Sequence, residues 1–197
     1  VKELVLASGN AGKLREFNAL FAELGWRVRP QSDFAVPECP EPYVSFVENA
    51  LAKARHASRH SGLPALADDS GICAPALNGA PGVLSARYAG AEPRSDAANN
   101  AKLSADLATQ ADRAVYYVCV LVLVRHADDP LPIIAQGLWH GTIALEERGD
   151  GGFGYDPLFV PAGDSRTAAE YSAAEKNSIS HRARALAAFT ELYLDLE

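Results

Sequence analysis

Several short stretches of this 197-residue chain carry side chains suited to chemistry. The first is Ser8-Gly9-Asn10-Ala11-Gly12-Lys13. Two glycines let backbone N–H groups close on an anion, Lys13 adds a full positive charge, and the helical repeat that follows turns the positive end of its dipole toward the same place. Only two residues separate Gly9 from Gly12, and Leu14 follows Lys13, so this is not a Walker A loop. The same residues also suit an ordinary glycine turn. The second stretch is the pair Asp68 and Asp69. Neighbouring carboxylates call for a cation, a helix N-terminus or solvent to absorb their charge, and magnesium meets that need with hard oxygen ligands. A solvated aspartate turn is the plainer alternative. Glu38 and Glu41, in a proline-rich segment, are available to complete a metal shell.

Other groups extend the list. Glu48, Asn49, Lys53 and His56 fall at helical spacing on one polar face, and Lys53 is placed to bring a cation toward the two aspartates unless that face is simply wetted. In Gly151-Gly-Phe-Gly-Tyr-Asp156-Pro157, two aromatic rings sit among glycines, where a planar base can stack or where the rings can be buried as loop anchors. Finally, Glu175-Lys176-Asn177 and Ser180-His181-Arg182 gather three basic side chains at the start of the last helix, against its dipole, which suits an anionic or carbonyl-bearing ligand or a purely solvated cluster.

Elements must position these groups. Residues 3–7 read as a buried strand leading into the glycine loop, and Leu14, Phe17, Leu20, Phe21 and Leu24 recur as one apolar helix face, stopped at Gly25. A second short strand covers residues 26–29, and prolines make residues 30–42 irregular. Ser45 and Glu48 form a capping box that opens a helix to about His60. Residues 64–67 form a short strand delivering the chain into a polar turn, Asp68-Asp69-Ser70-Gly71, the position at which α/β sheets bind ligands. An irregular loop over 78–90 precedes a helix over 96–107. Residues 115–124 and 133–143 pair as an antiparallel hairpin, so the sheet is mixed. After the glycine-rich connection 149–159, one final helix runs from 178 to about 196.

Composition narrows the classes. With 48% hydrophobic and 22% charged residues the chain is an ordinary globular domain, read as a single domain over 1–197. A net charge of −7 opposes a nucleic-acid backbone, so no nucleic-acid partner is expected. Cys39, Cys73 and Cys119 lack C-x-x-C spacing and read as reduced thiols. The longest apolar run, 118–124, is too short to span a bilayer, which gives no membrane partner and a cytoplasmic location.

Ser8-Gly-Asn-Ala-Gly-Lys-Leu-Arg-Glu-Phe17, Ser45-Phe-Val-Glu-Asn-Ala50, Ala67-Asp-Asp-Ser-Gly71, Gly79-Ala-Pro-Gly82 with Ser85-Ala-Arg-Tyr88, Gly151 to Pro157, and Glu175-Lys176 with Ser180-His-Arg182 together resemble the inosine triphosphate pyrophosphatase family. The resemblance spans nearly the whole chain and rests on the motifs occurring jointly and in order. It implies an α/β fold with an elongated mixed sheet flanked by helices, two lobes with the substrate cleft between them, and a homodimer. It implies Mg2+-dependent hydrolysis of ITP, dITP and XTP to the monophosphate and pyrophosphate, a clearing of deaminated purines from the nucleotide pool. Carried over by motif, Ser8, Gly9, Asn10, Ala11, Gly12 and Lys13 hold the triphosphate, Asp69 is base and metal ligand, and Ser70 touches substrate. Phe153, Gly154, Tyr155 and Asp156 hold the base, while Lys176, His181 and Arg182 anchor the nucleotide and read its 6-keto oxygen. Glu41 is a second metal ligand, from a segment over 34–43 that matches the family less distinctly. A Maf-like pyrophosphatase and a non-catalytic nucleotide sensor are the competing readings.

Overall fold

The computed structural model of the chain describes residues 2–8, 14, 17, 18, 21, 22 and 25–195. Six strands form one sheet in the hydrogen-bonded order β2-β1-β3-β4-β5-β6, with β1 at Lys2–Leu6, β2 at Trp26–Pro30, β3 at Ala65–Cys73, β4 at Ala114–Val124, β5 at Ile133–Ile143 and β6 at Phe159–Pro161. β1 runs parallel to β2 and β3, whereas β5 and β6 are antiparallel, so the sheet is mixed as expected. The Ile143 N–H at the end of β5 donates to the Arg113 carbonyl just before β4, which fixes these two adjacent strands as the antiparallel hairpin read from the sequence. Four α-helices have defined bounds: α1 Phe46–Ser61, α2 Asp96–Ala108, α3 Ala173–Ile179 and α4 His181–Leu194.

The chain divides into two compact units, one of Val1–Asp69, Val120–Ala135 and Ala188–Glu197, the other of Ser70–Cys119 and Gln136–Ala187. In the first, Leu4, Val5 and Leu6 are fully buried because β1 has a strand on either side and apolar cover on both faces. Phe17 and Phe21, helical and buried, continue this core to Phe189 of α4, with Phe21 and Phe189 ring centroids 5.4 Å apart. In the second, Leu103 and Leu107 of α2 pack with Tyr117, Trp139, Ile143, Leu158 and Phe159. The Arg113 guanidinium ties that core's edge, donating to the carbonyls of Leu107, Ile143 and Ala144.

Local signals account for most boundaries. Ser45 caps α1 by accepting the Glu48 N–H at 3.4 Å, and its hydroxyl donates to the Glu48 carboxylate at 2.5 Å. Gly62, at φ +72°, ends the helix in the left-handed region. Two expectations need correction. The Asp68-Asp69-Ser70-Gly71 segment is not a turn: β3 continues through it to Cys73. Successive side chains on a strand point to opposite faces, so adjacency in sequence does not force the two carboxylates together, and the strand tolerates the pair. The final helix is also not continuous. Ser172 and Glu175 form a capping box that starts α3, Ser180 is extended (φ −67°, ψ 167°), and the Ser180 hydroxyl accepts the Ala183 N–H to begin α4. Lys176 therefore belongs to α3, while His181 and Arg182 open α4.

Candidate functional site

In the first unit, β1 and β3 run side by side: Val5 pairs with Ala65 and Leu6 with Leu66, the Ala7 N–H donates to the Leu66 carbonyl at 2.8 Å, and the Ser8 N–H turns back to the Leu6 carbonyl at 2.9 Å. The remaining loop residues assigned to phosphate, Gly9, Asn10, Ala11, Gly12 and Lys13, lie outside the described residues. Asp68 is buried, and Asp69 faces α1, where Lys53 Nζ donates to its Oδ1 at 3.1 Å. Lys53 also stands 3.5 Å from Glu41 Oε1. The Lys53 and Asp69 side chains are only 14% and 13% exposed, so water screens this pair little.

Among the described residues, Glu41 and Asp69 thus meet the Lys53 ammonium, and Asp68 is the next residue along the strand. Burial pushes the Asp69 carboxyl above its ordinary value, Lys53 opposes this, and Glu41 and Asp68 add to the rise. Burial acts to lower Lys53, but Asp69, Glu41 and Asp68 outweigh it and hold the ammonium above its usual value. The Asp69 shift is thus first an effect of burial, and the Lys53 shift an effect of neighbouring negative charge. Asp69 Oδ2 is buried and has no hydrogen-bond partner among the described residues. A hard cation suits that oxygen and the surrounding carboxylates. Among the described residues no three His, Cys, Asp or Glu side chains converge tightly enough to hold a metal alone. Magnesium ordinarily takes one or two carboxylates and fills its shell with water and phosphate, so the donor set fits such an ion.

The polar face of α1 divides its work. Lys53 alone reaches the aspartates. Asn49 is buried and braces the proline-rich segment, accepting the Tyr43 N–H and donating to the Tyr43 carbonyl, both at 3.2 Å, and His56 Nε2 lies 2.9 Å from the Pro37 carbonyl. These contacts position the segment that carries Glu41.

In the second unit the glycine-rich loop is anchored at several points. Gly154 N–H donates to Asp96 of α2 at 2.9 Å, and the Tyr155 hydroxyl donates to the Ser85 carbonyl at 2.7 Å. Ser85 is itself held, its hydroxyl accepting from the Ile72 N–H at 2.9 Å. Tyr155 is buried as a loop anchor, whereas Phe153 is 58% exposed and presents a free ring face. Asp156 is buried: one oxygen accepts from the Tyr117 hydroxyl at 3.2 Å, the other from the Phe153 N–H at 2.8 Å and from Lys176 Nζ. Gly152 makes this possible, since a Cβ there would lie 2.1 Å from Asp156 Oδ2. Lys176 Nζ also rests 4.8 Å from the Phe153 ring centre. His181 is buried with its imidazole nearly parallel to the Tyr117 ring, centroids 4.7 Å apart. Arg182 is half-buried beside it at the start of α4, and Ser70 is half-buried on β3, one residue past Asp69.

Sequence reasoning missed Tyr117 and Trp139. No local pattern marks either one, because a buried polar-tipped aromatic declares its role only through partners distant in the chain. It also missed that Asp156 spends its hydrogen-bonding capacity inside the protein.

Fold and site together define a mixed α/β protein with an anionic strand site countered by one lysine and an aromatic site edged by basic side chains. Comparison with known proteins agrees with that class. The Ham1 family profile matches residues 4–192, and the chain belongs to the Ham1 family. The chain is similar to a dITP/XTP pyrophosphatase of Neisseria meningitidis, 66% identical over 186 residues covering 94% of each protein. It is likewise similar to a dITP/XTP pyrophosphatase of Ralstonia nicotianae, 64% identical over 193 residues covering 97% of this chain and 96% of that protein. Among solved structures, a HAM1 protein from Coxiella burnetii superposes with a TM-score of 0.95 at 46% identity, covering 99% of this chain and all of the other. These findings bear out the resemblance read from the motifs.

Proposed function

We propose that this chain hydrolyses non-canonical purine nucleoside triphosphates, dITP, XTP and ITP, to the monophosphate and pyrophosphate, and so keeps deaminated purines out of nucleic acid. Its relatives named dITP/XTP pyrophosphatase, at 66% and 64% identity over nearly full length, support the activity. The structural observation that carries the chemistry is Asp69: one oxygen is fixed by Lys53 and the other is buried without a partner among the described residues. An aspartate so held orients water and takes its proton as water attacks phosphorus, the phosphoanhydride P–O bond breaks, and pyrophosphate leaves. Lys53 pulls the Asp69 carboxyl down against the upward push of burial. Ser8 to Lys13 bind the triphosphate, and Ser70 contacts substrate.

Asp69 and Glu41 would hold a magnesium ion, which would supply positive charge to neutralise the phosphates. In the second unit Phe153 offers a stacking face to the base, with Tyr155 and Asp156 as the frame that fixes it. Lys176, His181 and Arg182 supply donors. Donors aimed at a 6-keto oxygen are left unpaired by adenine's 6-amino group, which disfavours ATP. The chain acts as a single domain over 1–197, in the cytoplasm, as a homodimer, and without nucleic acid or membrane. No described helix is long and apolar enough to cross a membrane.

Asp69→Asn tests this reading. It removes the proton acceptor while keeping size and shape, and ITP turnover is expected to fall by at least a hundredfold, roughly the range for loss of a general base. Unchanged turnover overturns the assignment.

A further inference from the structure

We propose that Tyr117 is a positioning residue for base recognition: one buried side chain in β4 that sets the plane of His181 by face contact and the place of Lys176 and Phe153 through Asp156. The proposal rests on the reading above that Phe153, Lys176 and His181 meet the nucleotide base. Tyr117 itself is buried among Trp139, Phe159 and His181 and touches the ligand side only through its neighbours.

The geometry makes Tyr117 a junction. Its ring lies 4.7 Å from the His181 imidazole at an interplanar angle of 9°, a stacked contact that allows the imidazole one plane. Trp139 lies beside both rings, 6.4 Å from Tyr117 and 6.5 Å from His181, at interplanar angles of 23° and 18°. The Tyr117 hydroxyl donates to Asp156 Oδ1, leaving Oδ2 for the Phe153 N–H and Lys176 Nζ. A carboxylate with fixed donors on both oxygens has a fixed rotamer, and so do the groups that bond to it. Burial first, and then Asp156, pushes the Tyr117 phenol far above its ordinary pKa, so the hydroxyl remains a donor. The backbone supports the arrangement: Gly137 of β5 lets the start of α4 sit close, since a Cβ there would lie 2.1 Å from the His181 carbonyl oxygen. Groups held by separate elements, the glycine loop, α3 and α4, thereby share one internal reference. Preorganisation of this kind acts on binding and selectivity more than on the bond-breaking step.

The test is steady-state pyrophosphate release from ITP and ATP by wild type, Tyr117→Phe and Tyr117→Leu, with melting temperatures measured alongside. Tyr117→Phe keeps the ring and removes the hydroxyl. Its KM for ITP is expected to rise roughly tenfold, the effect of one hydrogen bond to a charged group, with kcat within about twofold. The preference for ITP over ATP should shrink by a similar factor. Tyr117→Leu removes both contacts and should exceed Tyr117→Phe in both respects; if it does not fold, Tyr117→Phe decides alone. A role in stability only would lower the melting temperature of Tyr117→Phe while leaving KM and the ITP/ATP preference within twofold of wild type, and that result overturns the inference. A wild-type protein that cleaves no ITP overturns the functional reading and this inference with it, whereas an active, selective wild type with unaffected variants overturns this inference alone.

Discussion

Replacing Lys53 with Met keeps most of the side chain's bulk and removes the ammonium held between Asp69 and Glu41. Its Nζ lies 3.1 Å from Asp69 Oδ1 and 3.5 Å from Glu41 Oε1. Coulomb's law at 3.1 Å with an effective dielectric near 20 gives about 5 kcal/mol for the closer pair. Water admitted beside the methionine recovers part of this, leaving about 2–3 kcal/mol, the range for a hydrogen bond to a charged group. At about 1.36 kcal/mol per factor of ten, kcat/KM should fall roughly 30- to 150-fold. The pH dependence has a definite sign. Asp69 works ionised, and Lys53 lowers its carboxyl against the upward push of burial. Without Lys53 that pKa rises, so the acid limb of the kcat/KM profile moves to higher pH and the deficit is largest in acid and shrinks toward alkaline pH. Pyrophosphate release across pH 5–9 measures both effects. An acid limb at the wild-type position with less than a threefold fall, in protein of wild-type melting temperature, refutes the reasoning.

Other positions give sharper structural readouts. Tyr155→Phe strips the Ser85 carbonyl of its donor in a buried setting and should cost about 1–3 kcal/mol in denaturant unfolding, a loss absent if the loop is held elsewhere. Gly137→Ala places a methyl 2.1 Å from the His181 carbonyl oxygen, so α4 must shift, and both melting temperature and ITP affinity should drop together. Asp129 is buried in the hairpin loop and accepts from the Arg125 side chain and from the backbone N–H groups of Arg125 and Leu131. Those bonds, the Arg125 side chain first, hold its carboxyl well below the usual range. Its contribution is present above the unfolded carboxylate pKa of about 3.9 and is lost as pH falls toward the folded value. Asp129→Asn should therefore lower the melting temperature by about 2–6 °C near pH 7, with the gap to wild type closing in acid.

Much of the architecture was legible because the signals were local. The Ser45 capping box, the Gly62 stop, the apolar run of β4 and the alternation of β5 each follow from residues within a few positions of one another. The failures share one physical origin. Asp68 and Asp69 read as a turn because polar residues next to glycine lack strand propensity, yet pairing of β3 within the sheet overrode that preference. The break at Ser180 was hidden because apolar spacing runs through it, and only the Ser172 and Ser180 caps reveal two helices. In the site, Lys53 and the aspartates were identifiable by residue type, and the structure supplied the distance that makes them a pair. Tyr117 was not identifiable, because its role depends on meeting Asp156 and His181 across 39 and 64 residues of chain, and no local pattern encodes that.

The most direct test is pyrophosphate release from ITP, dITP, XTP, GTP, ATP and dTTP, each with Mg2+ and with chelator, beside Asp69→Asn. Turnover confined to the inosine and xanthosine nucleotides and abolished by chelator and by the substitution is the predicted result. Preference for a pyrimidine nucleotide, or tight binding of ITP without cleavage, contradicts it.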